Sequence, residues 1–255
     1  MIFDTHVHYD DEAFDADRKE LLESLFANGI GTVVNNSASL ESVTSSIELA
    51  HRYDFVYATV GVHPSEVREL NEEKMQWLKK MCEDPKVVAV GEIGLDYHYD
   101  DDPKPEEQIK WFRRQLSLAQ ELDMPVIIHS REAARDTFDI MKEAAEKGIT
   151  ADIHCYSYSP EQAAEYVKMG FFIGVGGVVT FKNARKLKET VKEIPIENIV
   201  LETDCPYLSP EPNRGSRNSS LNLPYVIETI AQIKEIPVQD VIDITEANAR
   251  RLYRL

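Results

Sequence analysis

Six residues of this chain carry side chains that bind divalent cations, and each stands at or near the end of a short apolar run: His6, His8, Glu92, His129, His154 and Asp204. Imidazole nitrogens and carboxylate oxygens are metal ligands, and a bound cation acidifies water and polarises an ester. A lone histidine at the end of such a run is ordinarily a hydrogen-bonded structural residue. Six ligand types recurring at five run ends point instead to a metal-dependent hydrolase with two ions. His6 and His8 are two apart, so on a strand they share a face while Val7 turns away. Glu202 and Asp204 have the same spacing, with Thr203 opposite. Asp204, nearer the mouth, is expected to hold metal. Glu202, one layer deeper, is expected to orient a ligand or a substrate group. Four imidazoles and an aspartate divided between two cations need a bridge. Glu92 offers two carboxylate oxygens for it, and Gly91 and Gly94 leave room for close backbone approach.

The runs that position these residues read as eight strands: IFDTHVH, IGTVVNN, FVYATVGVH, VVAVGEIG, PVIIHS, TADIHCY, FFIGVGG and NIVLETD. Segments with helical spacing lie between them, several closing on a glycine (Gly29, Gly148, Gly170). The tail, VQDVIDITEANARRLYRL, reads as a closing helix. Alternating strands and helices imply parallel strands joined by crossovers, and eight such units in 255 residues predict a (β/α)8 barrel as a single domain, residues 1–255. An open doubly wound sheet is the other solution, but no glycine-rich turn follows the first strand. In this reading His6 and His8 close strand one, Glu92 strand four, His129 strand five, His154 strand six and Asp204 strand eight, the end at which barrel enzymes keep their sites. The longest irregular piece, CPYLSPEPNRGSRNSSLNLP, follows the eighth strand and is expected over that face.

Hydrophobic residues make up 43% of the chain, enough for such a core. No apolar stretch is long enough to span a membrane, and the first residues do not pattern as a signal peptide. Three cysteines, Cys82, Cys155 and Cys205, form no CxxC, which predicts a reducing, cytoplasmic setting. The net charge of −17 argues against wrapping of long duplex DNA and predicts short-footprint contact with any nucleic acid. No stable protein partner is evident.

These motifs resemble the TatD family of metal-dependent deoxyribonucleases, within the amidohydrolase-type barrels. The resemblance is carried in order by DTHVH (Asp4 to His8), GVHP (Gly61 to Pro64), VGEIGLDY (Val90 to Tyr97), PVIIHSREA (Pro125 to Ala133), HCYS (His154 to Ser157) and LETDCPYLSP (Leu201 to Pro210), over nearly the whole chain. It implies a barrel that hydrolyses DNA phosphodiesters, with 3′–5′ exonuclease action on single strands, and it places the family's metal residues on the same six positions. One departure is the loop NRGSRNSSLNLPY, longer than the family's short RGxxNxP form. The resemblance implies magnesium dependence. Imidazole-rich sites bind Zn, Mn, Co or Ni more tightly, and the ion that supports turnover is left open.

Around the metals, His63 is expected to end strand three and to bind a phosphate oxygen or protonate the leaving oxygen. Asp96 is expected to hold a ligand or an arginine in place. Tyr97 and Tyr207 are candidates for base stacking, and Arg131, Arg214 and Arg217 for phosphate clamping. The chemistry expected is a two-metal hydroxide mechanism: Asp204 accepts a proton from a metal-acidified water, which attacks phosphorus in line. A small-molecule hydrolase acting on a lactone, cyclic amide or phosphotriester would use the same residues. A scaffold with a vestigial site would be expected to have lost a ligand, and all six are present.

Overall fold

The computed structural model describes the whole sequence, Met1–Leu255. Strands and helices alternate along it as β1 (Ile2–Val7), α1 (Arg18–Leu25), β2 (Ile30–Asn35), α2 (Leu40–Arg52), β3 (Val56–Val60), α3 (Glu72–Met81), β4 (Val87–Asp96), α4 (Pro105–Leu122), β5 (Val126–Arg131), α5 (Ala134–Glu146), β6 (Ala151–Ile153), α6 (Pro160–Lys168), β7 (Phe172–Val175), α7 (Arg185–Glu193), β8 (Ile199–Leu201), α8 (Leu223–Lys234) and α9 (Val238–Tyr253). The parallel strands follow one another in sheet order from β1 to β8, the (β/α)8 barrel that the patterning predicts. Gly29, Gly148 and Gly170 lie just past helix ends with φ of 85°, 81° and 85°, as left-handed C-terminal caps. No helix is long and apolar enough to cross a membrane.

Several strand limits differ from the sequence reading. β3 stops at Val60, so His63 lies three residues beyond it, in the turn that opens a short 3-10 helix. β4 runs on to Asp96, which puts Glu92 inside the strand rather than at its close. β6 and β8 are three residues each, and His154 and Asp204 follow them rather than end them. Apolar runs mark where a strand can be buried, but the ladder stops where partner backbones diverge. Helix α8 was not anticipated at all, although Val226, Ile227, Ile230 and Ala231 bury one helical face.

The chain forms two compact units. The first is Met1–Asn35 with Cys155–Leu255. Its core is apolar and tightly closed: Val7, Phe14, Leu22, Leu25, Ile30, Ile173, Val175, Leu201 and Leu252 expose none of their surface. Helix α9 packs on β1 through a stacked Phe3–Tyr253 pair, centroids 5.9 Å apart, and the Tyr253 hydroxyl donates to Thr5 O at 2.9 Å. Truncating a leucine as enclosed as Leu252 to alanine costs about 2–5 kcal/mol.

The second unit is Asn36–His154. A capping box of Ser39 and Ser42 starts α2, and Pro105 at the first turn starts α4. β4 and β5 lie so close that a Cβ on Gly94 would meet His129 O at 1.9 Å and one on Gly91 would meet the Ile127 side chain at 2.7 Å. Two buried glutamines of α4 serve as surrogate strand neighbours. Gln115 takes the Val62 N–H at 2.8 Å and donates to Val62 O at 3.0 Å. Gln108 takes the Asp96 N–H at 2.8 Å and donates to Asp96 O at 2.6 Å. Buried backbone groups must find partners, and here the helix supplies them where the ladder has ended.

Candidate metal centre

In the first unit, His6 is fully buried on β1 and His8 follows the strand. Their Nε2 atoms face each other at 3.1 Å. Asp204 Oδ1 is 3.4 Å from His8 Nε2 and 3.8 Å from His6 Nε2. Ligand atoms on a tetrahedral zinc-like ion, at bonds of about 2.0–2.1 Å, stand about 3.3 Å from one another. The triangle therefore has the spacing of three ligands to one divalent ion.

Asp204 reaches this place by a route the strand alternation does not describe. β8 has ended, and Asp204 adopts φ 56°. Its N–H donates to His6 O at 2.9 Å, and Cys205 O takes the His8 N–H at 2.9 Å, so the segment is laid against the end of β1. The shared-face argument for Glu202 and Asp204 is thus replaced by pairing with β1. Beneath them, Asp4 accepts from Thr203 N at 3.0 Å, Thr203 Oγ1 at 2.8 Å and Ser220 Oγ at 2.6 Å. Burial pushes the Asp4 carboxyl up to about 7 against these donors. Ser220 also bonds the Tyr9 hydroxyl at 2.8 Å, so one buried carboxylate ties β1, the segment after β8 and the start of α8 together. Glu202 is buried, and its Oε1 takes the Cys155 N–H at 2.8 Å, fixing the backbone that follows His154. A Cβ on Gly174 would come within 2.4 Å of Glu202 Oε2, so only glycine leaves the carboxylate its space.

In the second unit, Glu92 and His154 are buried, and Glu92 Oε1 lies 2.8 Å from His129 Nδ1 and 3.9 Å from His154 Nε2. The other His129 nitrogen, Nε2, is 3.1 Å from Asp96 Oδ2. A carboxylate that accepts from Nε2–H leaves Nδ1 with its lone pair beside Glu92. This carboxylate–histidine arrangement orients an imidazole toward a metal. For the chain without metal, burial acts to lower the His129 pKa, but hydrogen bonds to Asp96 and Glu92 outweigh it and bring it up to about 9. Burial would raise Asp96, yet the bonds from His129 and the His98 N–H hold its carboxyl below the usual range. His63 packs edge-on against His129, centroids 4.3 Å apart, and its Nδ1 accepts the Ser65 N–H at 3.2 Å. That bond places the His63 proton on Nε2. His63, Asp96 and His129 bring donor atoms within 4.8 Å of one another. The residues present fit divalent ions in each unit.

The candidate substrate contacts are more dispersed. Tyr97 is half-buried and its hydroxyl is 2.9 Å from Asp136 Oδ2, so its ring is not displayed. Tyr207 is 55% exposed, with its hydroxyl 3.1 Å from Asp11 Oδ2. Arg217 is engaged by both oxygens of Asp17, at 2.7 and 2.6 Å, over the Phe14 ring. Arg214 lies over Phe181 at 4.3 Å and Arg131 over Tyr99 at 5.2 Å. The sequence reading overlooked Gln108, Gln115 and Asp4. The glutamines had a signal, being seven residues apart and therefore on one face of α4.

A family model described as "TatD related DNase" matches residues 3–254, and the chain belongs to that family. It is similar to the "Uncharacterized metal-dependent hydrolase YabD" of Bacillus subtilis, 43% identical over 255 residues and 100% of both chains. The "Uncharacterized metal-dependent hydrolase TatD" of Mycobacterium tuberculosis is 36% identical over 261 residues, covering 99% of this chain and 97% of the relative. The crystal structure of YJJV, a TatD homolog from Escherichia coli, superposes with a TM-score of 0.93 at 30% identity, over 100% of this chain and 98% of that one. The protein is a metal-dependent hydrolase of the TatD family.

Proposed function

We propose that the chain, as one hydrolase domain of residues 1–255, is a deoxyribonuclease that removes nucleotides from single-stranded 3′ ends, using two divalent ions. The observation that carries the nuclease reading is the match of residues 3–254 to the DNase family model. His6, His8 and Asp204 would hold one ion, and Glu92, His129 and His154 the other. Zn, Mn, Co or Ni suits the imidazoles best, and Mg is possible. Divalent ions, when bound, lower the pKa of water toward neutrality and stabilise charge on phosphoryl oxygens.

The chain's own residues do the rest. Asp204 accepts the proton of the attacking water. His63, with its proton held on Nε2 by the Ser65 N–H, donates to the departing oxygen. Asp96 orients His129, and Glu202 positions the backbone after His154 through Cys155. Arg131 and Arg214 meet phosphates. Arg217 and Tyr207 would first have to leave Asp17 and Asp11, and Tyr97 serves the site by packing. Cys82, Cys155 and Cys205, none of them in a disulfide, support a cytoplasmic setting.

One property favours a second reading, hydrolysis of a small lactone, cyclic amide or phosphotriester: a net charge of −17 repels polyanions. The test is incubation of metal-loaded protein with end-labelled single-stranded DNA and, separately, with a panel of lactones and amides. Stepwise shortening of the DNA is expected. Turnover of a small ester or amide with no cutting of any nucleic acid would overturn the nuclease reading.

A further inference from the structure

Tyr99 is an exposed aromatic residue on the rim where β4 and β5 end, with 57% of its surface open. It lies three residues beyond Asp96, so its Cα is at most about 11 Å from that of the residue that orients His129. Its neighbourhood is built. Asp96 uses one oxygen for His129 and the other for the His98 N–H, at 2.9 Å. The Tyr97 N–H donates to Arg131 O at 3.0 Å, which ties the segment to the last residue of β5. His98 Nδ1 is 2.5 Å from Glu132 Oε1, and its ring packs edge-on against Tyr99, centroids 4.6 Å apart. The Asp102 N–H donates to Tyr99 O at 3.2 Å, and Arg68 donates to Asp101 O at 2.9 Å, closing the turn from the other side. On the ring lies Arg131, its guanidinium 5.2 Å from the centroid and its Nη1 3.4 Å from the Tyr99 hydroxyl.

We infer that Tyr99 and Arg131 form a stacking shelf for a nucleobase of the single strand whose phosphate is cut; this rests on the nuclease reading above. The argument is one of composition and constraint. An aromatic ring bearing a guanidinium presents a flat, polarisable, cationic surface, the surface that single-stranded nucleic acid seeks without regard to sequence. Arg131 lies over the ring and is itself exposed, so its guanidinium can meet a base through its plane and a phosphate through its N–H groups. The acidic chain needs such a device. Where net charge opposes a polyanion, affinity must come from contacts that are not ionic, and stacking is one. The shelf also takes over the role that sequence alone suggested for Tyr97, whose hydroxyl is committed to Asp136.

The test uses the whole chain and a short single-stranded oligonucleotide with 2-aminopurine at successive positions from its 3′ end, with the metals present and at a pH and temperature at which cutting is slow. In the wild type, one position is expected to show fluorescence quenched by stacking. Tyr99→Phe should keep the quenching and the affinity. Tyr99→Ala should lose the quenching and bind about 5- to 150-fold more weakly, with the salt dependence of binding unchanged. Arg131→Gln should reduce the slope of log affinity against log salt by about 0.7. Wild-type binding with Tyr99→Ala equal to it in affinity and quenching would overturn the shelf while leaving the nuclease reading in place. Cutting of lactones or amides, with no binding of the oligonucleotide by the wild type, would overturn both.

Discussion

Above pH 7 the metal-free protein should lose stability as His129 gives up its proton, and Asp96→Asn should abolish much of that loss. His129 sits with Nδ1 2.8 Å from Glu92 Oε1 and Nε2 3.1 Å from Asp96 Oδ2, and its pKa is brought from 6.5 up to about 9. A group whose folded pKa is raised contributes stability that is complete below the unfolded value and vanishes as pH rises through the folded one. The window is therefore pH 6.5 to about 9. Displacement by that amount is worth at most about 3 kcal/mol for one proton. The buried Asp4, brought from 3.8 to about 7, has the same sign and loses the last of its contribution as pH rises through 7, so the part due to His129 is the difference between the wild type and Asp96→Asn, both of which keep Asp4. The assay is urea unfolding in chelator at pH 7, 8 and 9.5. The wild type should weaken by roughly 2 kcal/mol over that range, within the bound set by linkage. In Asp96→Asn one of the two carboxylates is gone, the ring titrates nearer its ordinary range, and the curve should be flatter. An equal pH slope in wild type and Asp96→Asn would refute the assignment, as would a flat profile in the wild type.

Glu92→Ala should abolish activity and weaken the ion held with His129 and His154, whereas Glu202→Gln should keep metal content, by elemental analysis, and slow turnover; loss of both ions in Glu202→Gln would show it to be a ligand. Gln115→Ala leaves the buried Val62 N–H and C=O without partners, which should lower stability in urea titration by roughly 2–6 kcal/mol. Binding of single-stranded DNA should fall with salt with a slope of roughly two to three, from a few phosphate contacts at about 0.7 each; a slope several times steeper would mean an extensive ionic footprint that the acidic surface does not offer.

The candidate ligands stand out in the sequence because residue type and place coincide: a histidine or carboxylate that follows an apolar run is visible in one dimension. His6 and His8 needed only strand alternation. Strand alternation does not account for where Asp204 lies, since its position comes from pairing of residues after β8 with the end of β1, a long-range contact that spacing does not encode. The strand order was legible because each helix returns the chain to the next strand. The lengths of β3, β6 and β8 were not, because an apolar run continues past the point where backbone pairing stops. Rim residues carry the least signal in sequence. Tyr97 and Tyr99 are alike in sequence, and only the placement of Asp136 decides that the first is fastened and the second displayed. Arg217 likewise looks like any loop arginine until Asp17 is found facing it.

The two glutamines of α4 have a consequence for how the site tolerates disturbance. Gln108 and Gln115 are two turns apart, about 10 Å along one rigid rod. One grips Asp96 and the other grips Val62, next to His63. A shift or rotation of that rod carries the Asp96 and Val62 backbones with it together. The error is common-mode: Asp96, which orients His129, and the proposed proton donor His63 move together, and the distance between them is conserved. Drift accumulated in the outer helices by neutral substitution would then displace this part of the site as a block without detuning it.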